Sequence, residues 1–350
     1  MLPTAEHIQQ ACDLAHAARV YLDSEPWHHI AETECFALRD PATNEQIFLS
    51  VRGDSDPQPG LALFRGAEGL ASMFRLRHTP LESLDEREML DISGTFVEFR
   101  PMSSLPARAL RPLAAAGEWF KGDGLAPDFM TYLPGYVPGG PTAEEIRLLI
   151  IAMRETCSVA DAVVDGHARL EAVDGRWIER QLRRSGDSWW WEHVRAKPDC
   201  SWAPRRLQPQ PIDELTLARL QRLPRWQDEI WEIDLVPDTM VEELGPDERW
   251  PILLTLVVVD RATGQPRHYE DVRAQDRHAR AGTRLAQALL EIGFRPDQLR
   301  VRDRRLRASI ALVAQAIGAR IVTVRHLPAL DAAFDVLRLI RMRDRDRSGE

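Results

Sequence analysis

Lysine is nearly missing from this chain of 350 residues: of its 45 basic side chains, all but Lys121 and Lys197 are arginine. Arginine offers a planar fork suited to carboxylate and phosphate, although a GC-rich coding sequence produces the same excess without any ligand. Cysteine is scarce and scattered. Cys12, Cys35, Cys157 and Cys200 show no CxxC spacing, which argues against a zinc ribbon or a disulfide framework and for buried free thiols in a reducing compartment. No apolar run approaches the roughly 20 residues that span a bilayer. The opening stretch MLPTAEHIQQACDLAHAA carries acids, not a basic segment followed by an apolar core, so it does not read as a signal peptide. These absences predict a cytoplasmic protein with no membrane partner. The phosphate cradles GxxxxGK[ST] and GxGxxG are also lacking, as are the GxSxG elbow and the HExxH zinc motif. His28-His29 are neighbours whose side chains would diverge, which suits a surface better than a metal site.

What is present is ordinary for two domains: 44% hydrophobic residues, 28% charged, and a formal charge of −9. The charge is unevenly spread. Residues 225–350 hold 21 Arg and 21 Asp plus Glu, so the whole −9 sits in residues 1–224. A mildly acidic chain is a poor general coat for nucleic acid.

The first half predicts an α+β domain with a small antiparallel sheet, residues 1–196. Apolar positions at helical spacing open it over residues 5–22. Strands follow at 34–39 and 46–51 around the turn Asp40-Pro-Ala-Thr-Asn44, then at 61–64 and 95–99, with a helix from Gly66 to Phe74. Residues 101–141, rich in Pro and Gly, read as irregular, with aromatics at Trp119, Phe120, Phe129, Tyr132 and Tyr136. Thr142-Ala-Glu-Glu145 is a capping box that starts a helix to about Asp165. A hairpin over 175–194 carries Trp189, Trp190 and Trp191. Such a run can be an interaction surface for protein or nucleic acid, or a packed sheet face. Residues 197–224 read as a Pro-rich linker and 343–350 as a frayed tail.

Residues 225–342 predict an α/β domain in the order βββαβαβα: strands at 230–235, 250–260, 266–272, 299–303 and 320–324, with helices at 276–292, 306–317 and from 327. That order, with Asp234 in the first strand and Asp303 closing the fourth, is the layout of an RNase H-like domain. If the two strands are neighbours, the paired carboxylates repel unless a cation lies between them, and Mg²⁺ is the natural one. Asp331 and Asp335, four apart on the last helix, are candidates for a third ligand, with Glu232 a weaker one. Arg302, Arg304 and Arg305 would then reach phosphate. The same acids also have structural roles open to them: Asp303 can cap the next helix, Asp234 can pair with an arginine, and Asp331 suits the first turn of its helix.

Trp231-Glu-Ile-Asp234, residues 251–264 and residues 296–303 resemble the core of retroviral-type integrases and transposases. That resemblance implies metal ligands at Asp234 and Asp303 and a third ligand, a Glu, on the following helical region. This chain has no Glu between Asp303 and Glu350. Over most of its length the chain is similar to an uncharacterised bacterial two-domain family, a pair of domains of unknown function, through Leu133-Pro-Gly-Tyr-Val-Pro138, Thr142-Ala-Glu-Glu145, Val301-Arg-Asp-Arg-Arg-Leu306 and Leu327-Pro-Ala-Leu-Asp331. Two readings follow. One is a non-catalytic binding protein on an RNase H-like scaffold, with no catalytic residues, no cofactor and a protein or nucleic-acid partner. The other is a Mg²⁺-dependent nuclease or strand-transfer enzyme using Asp234 and Asp303.

Overall fold

Successive side chains of a strand point to opposite faces, so a run buried at nearly every position needs cover on both sides. The strands of the first half are of this kind. The computed structural model describes residues 5–53, 58–79, 83–106, 109, 120, 124–200, 209–241 and 249–348. The chain divides into two units, residues 1–134 with 138–204, and residues 135–137 with 205–350. In the first, α1 (Ala5–Ser24), β1 (Cys35–Arg39), β2 (Gln46–Arg52), β3 (Gly60–Arg65), α2 (Gly66–Leu76), α3 (Glu86–Met89), β4 (Gly94–Pro101), β5 (Leu125–Tyr132), α4 (Ala143–Val164), β6 (Trp177–Ser185) and β7 (Ser188–Ala196) follow one another. Phe36, Leu38, Ile47, Leu49, Leu61 and Val97 turn to one face, in a core with Ala18 and Tyr21 of α1 and Leu149 and Met153 of α4. Phe48, Phe64 and Phe96 turn to the other, with Leu70 and Met73 of α2. Each large side chain taken fully out of water contributes about 1.5–3 kcal/mol.

The sheet corrects the expected small antiparallel one. It has seven strands in the order β5-β4-β3-β2-β1-β6-β7. It is also mixed, because β6 runs parallel to β1 through Ala37↔Glu179 and Leu38↔Arg180, while the other neighbours are antiparallel. The helix α4 makes this possible. Its 22 residues reach about 33 Å at 1.5 Å per residue, enough to carry the chain from β5 across the sheet at about 4.8 Å per strand. A buried ion pair, Arg180 Nη2 to Glu155 Oε2 at 2.6 Å, fastens β6 to α4. The capping box forms as expected, with Thr142 and Glu145 each bonding the other's backbone N–H. The strand β5 lies within the stretch 101–141 that was expected to be irregular. It is an edge strand, where Pro127 removes no needed ladder bond. Phe120, Phe129 and Tyr132 are buried there; Trp119 lies outside the described residues.

In the second unit, α5 (Glu214–Gln221), β8 (Ile230–Val241), β9 (Ile252–Asp260), β10 (Pro266–Arg273), α6 (Arg277–Ile292), β11 (Gln298–Val301), α7 (Arg304–Ile317), β12 (Arg320–Thr323) and α8 (Pro328–Ser348) follow one another. The sheet order is β10-β9-β8-β11-β12. β9 is antiparallel to both β8 and β10, whereas β11 and β12 run parallel to β8. Val257 and Val259 pack against Leu327 and, on α8, Leu330 and Phe334. The intervening Leu256 and Val258 are buried on the opposite face. The helices α6 and α7 meet at Gly282, where an added Cβ would lie 2.6 Å from the Ser309 carbonyl oxygen. Within the expected linker, 201–208 lie outside the described residues and Glu214–Gln221 is helix, N-capped by Asp213. The expected frayed tail continues α8 as helix to Ser348, and residues 349–350 lie outside the described residues.

One turn occurs in both units. Asp40-Pro-Ala-Thr-Asn44 joins β1 to β2, and Asp260-Arg-Ala-Thr-Gly264 joins β9 to β10. In each, the Asp carboxylate accepts from the Ala N–H two residues on (3.0 and 2.8 Å) and from the Thr hydroxyl (2.7 and 2.8 Å). The fifth residue is left-handed, Asn44 at φ 60 and Gly264 at φ 70, and its N–H returns to the Asp carbonyl at 2.8 Å in both. An arginine closes each site: Arg147 is bidentate on Asp40 (2.8 and 2.7 Å) and Arg267 reaches Asp260 at 2.8 Å. Burial alone would raise the Asp40 carboxyl. The bonds from Arg147 and Thr43 outweigh it and hold the group well below the usual carboxylate range. Burial likewise opposes ionisation of Asp260, and Thr263, Ala262 and Arg267 overcome it. A depressed pKa stabilises the fold above the unfolded value and is lost below it. Asp40→Ala and Asp260→Ala should each lower stability by about 1–3 kcal/mol at neutral pH in urea titrations. The deficit should shrink as pH falls below about 4, where the unfolded carboxyl takes up its proton.

Candidate functional site

The central strand of the second sheet buries two carboxylates. Glu232 and Asp234 are both 0% exposed and, two residues apart, share a face. Glu232 Oε2 accepts from the Leu330 N–H at 3.0 Å, in the first turn of α8. Arg261 Nε stands 3.8 Å from its other oxygen. Asp234 Oδ1 accepts from the Leu235 N–H at 2.9 Å, and Arg302 Nε lies 2.6 Å from its Oδ2. The same guanidinium uses Nη2 to bond Asp331. Arg302 therefore sits where two acids converge, one from β8 and one from α8.

Strand register explains which residue meets Asp234. β11 pairs with β8 as Gln298↔Ile230, Leu299↔Trp231 and Arg300↔Glu232. Two residues further, position 302 falls opposite 234, and position 303 has the other parity. The expected meeting of Asp234 with Asp303 is thus displaced by one residue. β11 ends at Val301, and Asp303 becomes the N-cap of α7, accepting from the Arg305 N–H at 2.7 Å. Its other oxygen lies 4.0 Å from His278 Nε2. Asp335 is exposed on α8. Arg304 and Arg305 are exposed in the first turn of α7, whereas Arg302, expected to reach phosphate, is committed to Asp234 and Asp331. Among the described residues, no group of three or more His, Cys, Asp or Glu side chains could hold a metal ion. The donor set at Asp234 does not fit Mg²⁺, because a guanidinium already supplies the positive charge there.

The tryptophan run divides along the strand, its exposed members lying toward the hairpin tip. Trp191 packs against the main core of the first unit, while Trp189 is 58% and Trp190 44% exposed. Arg184 lies 5.1 Å over the Trp189 ring, and Arg180 lies 6.0 Å from the Trp191 ring. Sequence alone marked the run without showing that β7 is the last strand of its sheet. The four cysteines are free. Among the described residues, no helix is long and apolar enough to cross a membrane.

Removing one partner of a buried ion pair leaves the other charge uncompensated. Arg302→Met should destabilise the second unit by about 3–5 kcal/mol, read from urea unfolding. Adding Asp234→Asn should recover much of the loss. Asp303→Ala removes a helix cap and the longer contact with His278 and should cost about 1 kcal/mol.

Residues 12–180 match the model of a domain of unknown function, DUF7309, and residues 216–338 match that of another, DUF6930. No curated protein matches the chain, and no solved structure does. The two adjoining matches support, for this chain, a two-domain family whose halves are both domains of unknown function.

Proposed function

We propose that the protein is a non-catalytic binding protein whose C-terminal domain, residues 225–342, is an RNase H-like scaffold and whose N-terminal domain, residues 1–196, presents the Trp189–Trp190 hairpin to a partner. The strand order β10-β9-β8-β11-β12 supports the scaffold: it runs third, second, first, fourth, fifth, with only the last two parallel to the first. The observation that carries the non-catalytic reading is Arg302. A metal-dependent nuclease needs carboxylates free to take divalent ions and to stabilise an in-line displacement. Here the central-strand carboxylate is spent on an arginine and a backbone N–H, and the acid that joins it, Asp331, is held by the same arginine. The exposed indoles supply large, rigid contact area of the kind that anchors interfaces.

Incubation of the full chain with single- and double-stranded DNA and RNA, in Mg²⁺ and in Mn²⁺, should leave every substrate intact. Cleavage that needs the divalent ion and disappears in Asp234→Asn would overturn the proposal and restore the nuclease reading.

A further inference from the structure

An open sheet ends in two strands whose outer backbone groups recruit another strand unless the edge is blunted. The four edge strands here are β5, β7, β10 and β12, and three of them are blunted. β5 carries Pro127, and its Thr131 exchanges backbone hydrogen bonds with Gly139 at 2.8 and 3.1 Å. β10 starts at Pro266, slips register before His268, and carries Arg267, Glu270, Asp271 and Arg273. β12 has four residues. β7 is different: it has nine residues, no proline, an unbroken ladder to β6 and three consecutive tryptophans. Among the described residues, no backbone group bonds its outer edge.

The far end of this strand is also poorly supported. β1 pairs with β6 at Ala37↔Glu179 and Leu38↔Arg180, whereas β6 and β7 stay paired out to Ser185↔Ser188. Beyond β1 the two form a bare ribbon, which is marginal in water. A two-residue loop closes it, with Gly186 at φ 58 as such loops require. In that geometry Ser188 turns its N–H and C=O toward β6, so Trp189, Trp191, His193 and Arg195 turn theirs outward.

We infer that β7 pairs antiparallel with β7 of a second copy of this chain, about a two-fold axis through His193, joining two seven-stranded sheets edge to edge. A two-fold axis normal to a sheet preserves its faces, so opposed residues must have the same parity and the axis must pass through a residue. Centred on Glu192, it would set two carboxylates against each other. Centred on Trp191, it would set Trp190 against a Glu192 carboxylate. Centred on His193, it sets each Trp191 opposite Arg195 of the second copy and each Trp189 opposite Lys197. This is the cation-over-indole pairing that β7 already makes with Arg184 and Arg180 of β6. The register also closes about six backbone hydrogen bonds through Trp191, His193 and Arg195.

The inference rests on the hairpin being an interaction surface and names its occupant. Sedimentation velocity of the full chain should show a dimer at roughly 100 µM that dissociates on dilution. Trp189→Pro removes the indole set opposite Lys197, together with an outward N–H, without touching the ladder to β6. It should weaken the dimer by at least about tenfold with thermal unfolding unchanged. Under mild oxidation, His193→Cys should yield a disulfide-linked dimer on a non-reducing gel, and Glu192→Cys should not. A wild-type monomer at that concentration overturns the inference. So does cross-linking through Glu192→Cys in place of His193→Cys. Divalent-dependent cleavage would overturn the non-catalytic reading while leaving the dimer untouched.

Discussion

The ion pair between Arg302 and Asp234 is the constraint around which the second unit is organised. A carboxylate with no exposure on a central strand is tolerable only with a counter-charge and hydrogen bonds. Asp234 obtains both, from Arg302 and from the Leu235 N–H. The arginine then extends to Asp331, and Glu232 takes the Leu330 N–H one position earlier in α8. Two polar links and the Val257–Phe334 apolar patch thus fix the start of α8 against the sheet. The apolar contacts supply most of the attraction, and the charged ones supply the register, since an arginine fork accepts few alternative placements.

The second unit was largely legible in the sequence. β9 is a long apolar run, α6 and α7 end at glycines, and the turn residues stand at their usual places, so the eight elements from β8 to α8 come out in order, while α5 was hidden in the expected linker. The acids were legible only as alternatives: the cap at Asp303 and an arginine partner for Asp234, both present, stood beside an expected metal pair. Strand periodicity fixes which residues share a face only once the register between strands is known, and a one-residue error in placing the end of β11 exchanges Arg302 for Asp303. At Asp303 helix-cap chemistry held the clue: an Asp immediately before a helix is as well suited to capping as to a metal.

The first unit was less legible because its decisive pairing is remote. Ala37 and Glu179 are far apart in the chain, and nothing local in either strand announces a parallel neighbour. β5 was hidden by Pro127, a residue that speaks against a strand unless the strand is known to be an edge. Burial of Cys35 through Leu38 on both faces was the available signal that the sheet had helices on each side.

The paired Asp40 and Asp260 turns bear on how such a chain finds its fold. Each is complete within five residues, with the left-handed position, the side-chain bonds and the returning N–H all supplied locally. A β-hairpin of this kind forms in about 1–10 µs, long before a contact such as Ala37 with Glu179 can be sampled. Each half of the polypeptide therefore carries its own early zipper point. The first sheet can begin to grow before the second unit has been synthesised, with its slow parallel closure left until α4 and β6 have emerged.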